Sequence, residues 1–341
     1  MTNPLMTMLT RPVMRRRNAR KLALGSRTGV YEARFVDIGG IPQWITIRGR
    51  DRRNPVLLFL HGGPGSPYTP FNSWLLEWEQ HFTIVQWDQR GAGRTFMRNG
   101  TAGCGRISLD QLASDGIELA EFLRMHLEVQ KLVLLGSSVG SVIGVLCIHR
   151  RPDLFSAYVG ANQNGPNSLP VKYALTKQAA LKTKNKKGLA LLDRMGNDPS
   201  YWTIEQSGAL DRLAVKESSG VPNLIYDLML PALLWDPEYS LREIGAIRKG
   251  MDFSTKELFR ELMAIDIDVL GHRIDLPFFI FQGDGDILTP SATARAYFDS
   301  ISAPHKAFVT IPGGHLVEFA NPARFLQGLL QVVLPNIDCD R

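Results

Sequence analysis

The chain has 341 residues, 44% hydrophobic and 21% charged, a balance that excludes low-complexity and disordered classes and suits a globular protein with a sizeable core. Its formal charge of +6 does not describe a basic face, because Arg11, Arg15, Arg16, Arg17, Arg20 and Lys21 equal the whole excess and all precede Glu32, the first acidic residue. The charge is therefore confined to a basic N-terminal arm, residues 1–30, and the rest of the chain argues against nucleic acid as a partner.

In chain order, the arm reads as a solvated or loosely helical extension, with weak peripheral contact to an anionic membrane as the sharper alternative. Its arginines are followed only by "LALG", too short for the apolar core of a secretory signal. Later apolar runs are interrupted well before the roughly 18 residues needed to span a bilayer. Cys104, Cys147 and Cys339 are odd in number and share no metal-ligand spacing, so the simplest expectation is a reducing, cytoplasmic setting with no metal and no cofactor.

"ARFVDIGGIPQWITIRGR" places β-rich runs on both sides of a Gly-Gly turn and predicts a hairpin feeding the strand "PVLLFL". "FTIVQWD", Phe82 to Asp88, is a second β-branched run, ending in the turn "QRGAGR". Ser108 and Gln111 form a candidate capping box for a helix with apolar positions at Leu112, Leu119, Phe122, Leu123 and Leu127. The wholly apolar "KLVLLG" predicts a central parallel strand, and "SVIGVLCIHRR" a helix stopped at Pro152. "FSAYVGA", "LPFFIFQGD" and "KAFVTIP" complete the strands, and Asn321 with Pro322 opens a terminal helix. The alternation argues for an α/β fold with a mostly parallel sheet covered by helices on both faces.

Residues 166–273 break that rhythm. They are helical and charged and include "LKTKNKKG", which reads as an insertion into a core made of 31–165 and 274–341. An insertion leaving the carboxyl ends of strands lies where ligands bind in such sheets, so it is expected to be a helical cap.

The chemistry begins with Gly136, Ser138 and Gly140, a GxSxG pattern between a buried strand and a helix, the context of a nucleophile elbow. A serine needs a base oriented by an acid, in the order serine, acid, histidine on this kind of sheet. His315, on a loop between the last strand and the terminal helix, stands where the base is required. "FFIFQGDGDILTP" offers two acids, Asp284 and Asp286, of which Asp286, beyond the strand end, is preferred. An oxyanion hole needs the N–H after the nucleophile, that of Val139, and one from an earlier loop, for which Gly63 in "HGGPG" is the candidate. The same glycines could cradle a phosphate, but no lysine follows them as a P-loop requires. His61 is read as a packing residue.

With "HGGPGSP", "WDQRGAGR" from Trp87 to Arg94, "GSSVGS", "GDGD" before a proline, and "GGH" in this order, the chain resembles the proline iminopeptidase family of α/β-hydrolases. The resemblance implies an α/β-hydrolase fold with an eight-stranded, mostly parallel sheet and a helical cap. It implies Ser138, Asp286 and His315 as catalytic triad, Gly63 and Val139 as oxyanion hole, and Asp88 and Arg90 as braces. Two departures bear on substrate. Val139 stands where family peptidases usually carry tryptophan, and no cap acid aligns with the glutamates that hold a free amine. Glu205, Trp235 and Glu238 are the substrate-binding candidates the cap offers.

The expected function is a serine hydrolase cleaving an ester or amide through an acyl-enzyme, on a small molecule or short peptide. The alternatives are a carboxylesterase or lactonase without aminopeptidase activity and, from another class, a non-catalytic, membrane-peripheral interaction protein.

Overall fold

The five residues of "VLLFL" are all buried, and their side chains alternate between two separate apolar layers. Leu58 and Leu60 join one core, while Leu57 and Phe59 join another on the opposite face of the same strand. A strand buried on both faces must be central in its sheet, and this one is. The structure, a computed structural model, describes residues 2–23, 27–218 and 220–337; Cys339 lies outside them.

Helix α1 spans Pro4–Leu22, and the hairpin β1 (Val30–Ile38) and β2 (Ile41–Gly49) follows. Then come β3 (Val56–Leu60), β4 (Thr83–Asp88), α2 (Gly93–Cys104), α3 (Leu109–Leu127), β5 (Leu132–Ser137), α4 (Val139–Arg150) and β6 (Phe155–Ala161). Between β6 and β7 the chain is helical, with α5 (Ser168–Lys182), α6 (Lys186–Met195), α7 (Ile204–Glu217), α8 (Leu230–Trp235), α9 (Leu241–Met263) and α10 (Ile267–Leu270). Strand β7 (Phe278–Gly283), α11 (Ser291–Ser300), β8 (Lys306–Ile311), α12 (Val317–Ala320) and α13 (Pro322–Gly328) complete the described elements. The eight strands form one sheet in the order β1-β2-β4-β3-β5-β6-β7-β8. The pairs β1/β2 and β2/β4 are antiparallel, and all the others are parallel. This is the mostly parallel α/β sheet that the alternation of elements predicts, with the eight strands that the resemblance implies.

Two local expectations are refined. Ser108 caps α3 by accepting from the Gln111 N–H at 3.0 Å, but the Gln111 amide turns to Asp115 at 2.7 Å, so the box is only half made. Asn321 does precede α13, yet its side chain makes no cap bond, and the helix widens into a π turn over Leu329–Val333.

The arm is solvated on its outer face but it is not loose. It is a 19-residue helix fastened to the segment after α8, whose last carbonyls lack helical partners. Arg15 Nη1 and Nη2 donate to the carbonyls of Asp236 and Pro237, each at 2.6 Å, and Arg11 reaches that of Tyr239 at 3.1 Å. Asn18 donates to the Trp235 carbonyl, and the Trp235 indole returns a bond to Thr7.

A buried ion pair ties the hairpin to the helical layer. Arg90 is 7% exposed and Asp115 is fully buried. The guanidinium holds both Asp115 oxygens, at 2.8 and 3.2 Å, and the carbonyls of Gly39 and Cys104 at 2.8 Å. The Gln43 amide donates a further bond to the same carboxylate. Removing one partner strands a buried charge. We therefore expect Asp115→Ala to lower unfolding stability by about 3–5 kcal/mol in urea titrations; a loss below about 1 kcal/mol would show that the pair is not a brace.

Candidate active site

The turn from β5 into α4 puts Ser138 at φ 53° and ψ −121°, backbone that an L-residue rarely adopts. Its neighbours must be small because the chain doubles back. A Cβ on Gly136 would lie 2.4 Å from the Gly140 carbonyl oxygen, and one on Gly140 would lie 2.3 Å from that of Leu60. The Ser138 N–H donates to Ala161 on β6, and its carbonyl accepts from the Ser141 N–H and hydroxyl, so the strained residue is held from both sides. The Ser138 side chain faces the cavity above the sheet.

His315 arrives on the loop after β8 with its side chain only 10% exposed. The distance from its Nε2 to Ser138 Oγ is 3.0 Å, and from Nδ1 to Asp286 Oδ2 it is 2.8 Å. The carboxylate can only accept, so Nδ1 carries the proton and Nε2 is left to accept from the serine. Asp286 is itself held: Oδ1 accepts from the Leu288 and Thr289 amides, and Oδ2 from the Thr289 hydroxyl at 2.7 Å. Asp284 is exposed and accepts from the Gly313 N–H at 3.0 Å. The structure thus brings Asp286, and not Asp284, to the histidine.

Burial disfavours charge on the His315 ring, but the charge and hydrogen bond of Asp286, helped by Glu318, outweigh it and raise the pKa above 6.5. Lys172 pulls in the other direction. Glu318 was not singled out from sequence, although its place three residues after His315 on the next short helix was a usable signal. Fully buried, it accepts from the Ser137 hydroxyl at 2.6 Å and from the Asn162 amide at 2.7 Å. The Tyr68 hydroxyl in turn approaches Ser137 Oγ at 3.2 Å. Burial raises the Glu318 carboxyl above its usual range.

The "HGGPG" turn is clamped by its own histidine. His61 Nε2 accepts from the Gln89 amide at 3.2 Å, so Nδ1 donates to the Gly62 carbonyl at 2.7 Å. Burial pushes its pKa down to about 4, which keeps the ring neutral, and the two hydrogen bonds fix this tautomer. Gly63 follows at φ 128°, where a Cβ would sit 2.6 Å from the Gly65 and Ser66 amides. Gly63, Val139 at the first position of α4, Ser138 and His315 all line one cavity of about 960 Å³. Its roof comes from α5, α7, the 224–229 turn and α9, with Leu224, Met229, Phe259, Leu262, Met263 and Leu288 among its apolar walls.

The three substrate-binding candidates from the helical insert lie away from this cavity. Glu205 is exposed in the first turn of α7. The Trp235 indole is engaged by α1, and Glu238 pairs with Arg94 on the surface at 3.2 Å. Asp88 behaves as the expected brace, accepting from the Thr69 hydroxyl and the Arg94 amide and, at 3.3 Å, from Tyr239 in the insert. Among the described residues no group of three or more His, Cys, Asp or Glu side chains is placed to hold a metal ion.

Comparison with known proteins places these features in context. The family model for the alpha/beta hydrolase fold matches residues 55–322. "Probable aminopeptidase YbaC" of Bacillus subtilis is 29% identical over 301 residues, covering 86% of this chain and 93% of that protein. "Putative carbamate hydrolase RutD" of Agrobacterium fabrum is 25% identical, covering 85% and 97%. The crystal structure of a proline iminopeptidase-related protein from Thermus thermophilus superposes with a TM-score of 0.60 at 20% identity, over 90% of this chain and all of that one.

The proton balance at the histidine can be measured directly. In an NMR titration the His315 ring is expected to lose its proton with a midpoint above 6.5, so that it can accept a proton only on the alkaline side. Asp286→Asn removes the main raising influence and is expected to move the midpoint down. A wild-type midpoint at or below 6.5 shows that burial, and not the Asp286 carboxylate, dominates at this ring.

Proposed function

Because the chain belongs to the α/β-hydrolase family and its activity is hydrolytic, we propose that it cleaves an ester or amide through a serine acyl-enzyme, without a cofactor. The observation that carries this reading is the relay Ser138–His315–Asp286, at 3.0 and 2.8 Å, whose serine and histidine line the cavity. Ser138 Oγ attacks the substrate carbonyl while His315 Nε2 takes its proton. The Gly63 and Val139 N–H groups receive the oxyanion of the tetrahedral intermediate. His315 then returns the proton to the leaving alcohol or amine, and a water activated by the same nitrogen releases the acid. Asp286 orients the ring and balances the imidazolium.

The aminopeptidase name of the Bacillus relative and the carbamate hydrolase name of the Agrobacterium one both fit acyl chemistry of this class, on small molecules or short peptides. Parallel assays with a prolyl arylamide and a short-chain aryl ester separate an aminopeptidase from an esterase. In either assay Ser138→Ala is expected to lower kcat by at least about 10³-fold with the circular dichroism spectrum unchanged. Asp286→Asn is expected to cost more than Asp284→Asn. Turnover retained by a folded Ser138→Ala protein sinks the mechanism, and the reverse order of the two asparagine variants sinks the assignment of the acid.

The N-terminal helix suggests a location for this chemistry. On α1, Leu5, Met6, Leu9 and Val13 are exposed, and Arg16, Arg17, Arg20 and Lys21 follow them into solvent. Apolar side chains beside a group of cations suit the surface of an anionic bilayer. No helix among the described residues is long and apolar enough to cross a membrane. The protein is therefore expected to sediment with anionic vesicles at low salt and to be released by high salt. Reversing the exposed charges in Arg16→Glu/Arg17→Glu/Arg20→Glu should abolish sedimentation; binding that survives both treatments overturns this role.

A further inference from the structure

The polar inventory of the cavity is lopsided. Its described lining includes Lys172, Arg212 and Lys216 but one carboxylate, Asp211. Lys172 projects from α5 with its side chain only 10% exposed, and its ammonium donates to Asp211 Oδ1 on α7 at 2.6 Å. The Asp211 side chain is 47% exposed. Water therefore screens the anion of this pair far more than the cation, and the cavity is left with a net positive centre. An ammonium has three donors, and Asp211 is the one partner that Lys172 Nζ bonds among the described residues. Two donors remain for a ligand. The same charge acts on the reaction centre, where Lys172 disfavours protonation of His315.

We propose that Lys172 is a recognition site for an anionic group on the substrate, a carboxylate or a group of the same charge, carried on an otherwise apolar ester or amide. The inference rests on the acyl-enzyme reading for where the substrate lies, and it narrows that reading's substrate class. Burying a charged lysine in a binding cavity is costly unless something compensates it. A half-exposed aspartate compensates in part, and a carboxylate entering the cavity completes the shell with charge-assisted hydrogen bonds. The leucine, methionine and phenylalanine walls take the intervening chain. A substrate with a free amino terminus meets the opposite situation. The carboxylate that could hold its ammonium is already bound to Lys172, and the two neighbouring cations repel it. The cavity thus favours an anionic ester or amide over an aminopeptidase substrate.

Binding can be read without turnover by titration calorimetry on the Ser138→Ala protein with three probes of similar length: monomethyl adipate, dimethyl adipate and methyl 5-aminopentanoate. The monoanion is expected to bind at least about tenfold tighter than the neutral diester, the scale of one charge-assisted contact, and the ammonium probe weakest. Adding Lys172→Met should collapse the anion advantage to within about twofold. Asp211→Asn, which keeps Lys172 and removes its competitor, should widen that advantage, and it decides the matter if the methionine variant does not fold. An advantage that persists without Lys172, one that narrows in Asp211→Asn, tightest binding of the ammonium probe, or no binding by any of the three overturns the proposal. The two levels separate cleanly. Wild-type protein that hydrolyses aryl esters without the anion preference refutes the Lys172 site alone. Anion-selective binding by a protein that hydrolyses no ester or amide refutes the acyl-enzyme reading alone.

Discussion

Everything in the site depends on one strained residue. Ser138 is held at a φ of 53°, a conformation that costs about 1–3 kcal/mol for an L-residue, and it persists because its surroundings leave no alternative. Strand β5 is locked between β3 and β6, α4 must start at once, and Gly136 and Gly140 let the backbones approach closely enough for the chain to reverse. Relaxing the turn would require moving the centre of the sheet. The strain lifts one oxygen clear of the helix and strand, within 3.0 Å of the histidine.

Around that turn the structure adds two concentric supports. The inner one is polar and buried. His61 fixes the glycine turn through a neutral tautomer, Asp286 is saturated with donors, and Glu318 ties Ser137 to Asn162 beside Ser138. His61, Asp286 and Glu318 would be costly to bury unpaired, and each has its partners. The outer support joins the helical insert to the core. Tyr239 bonds Thr69 at 2.8 Å and Asp88 at 3.3 Å, while Arg94 lies over both the Trp44 and Tyr239 rings at 4.7 Å. Helix α1 then closes over the end of α8 by occupying its free carbonyls. An arm that supplies the chain's whole net charge thus spends Arg11 and Arg15 on internal bonds and leaves the remainder of its cations outside.

Much of this was legible in the sequence because the signals are short-range. A wholly apolar run such as "KLVLLG" has few placements other than a central strand, and a GxSxG between strand and helix constrains the backbone directly. Asp286 was distinguishable from Asp284 by its distance beyond the strand end. The cap was harder. Glu205, Trp235 and Glu238 were plausible because acids and aromatics recur there, but a helix period does not say which face meets the cavity when neighbouring helices are also unplaced. The same ambiguity hid Lys172, which reads as one more charge in a lysine-rich segment. The docking of the arm was missed for a related reason. Its partners are backbone carbonyls more than two hundred residues away, and carbonyls carry no sequence signature.

By itself the sequence determined the order of strands and helices, the sharp strand-to-helix turn at Ser138, and the residue types able to form an acyl-transfer relay. These follow from local backbone sterics and from which side chains can be buried. Only the tertiary structure decided which of the chain's buried polar groups face one another. It brought Glu318 behind the elbow, set Lys172 against a half-exposed aspartate inside the cavity, and docked the basic helix on the insert. The physical reason is that charge and hydrogen-bond complementarity act through space, and whether a charge is costly, idle or useful depends on partners that packing alone selects.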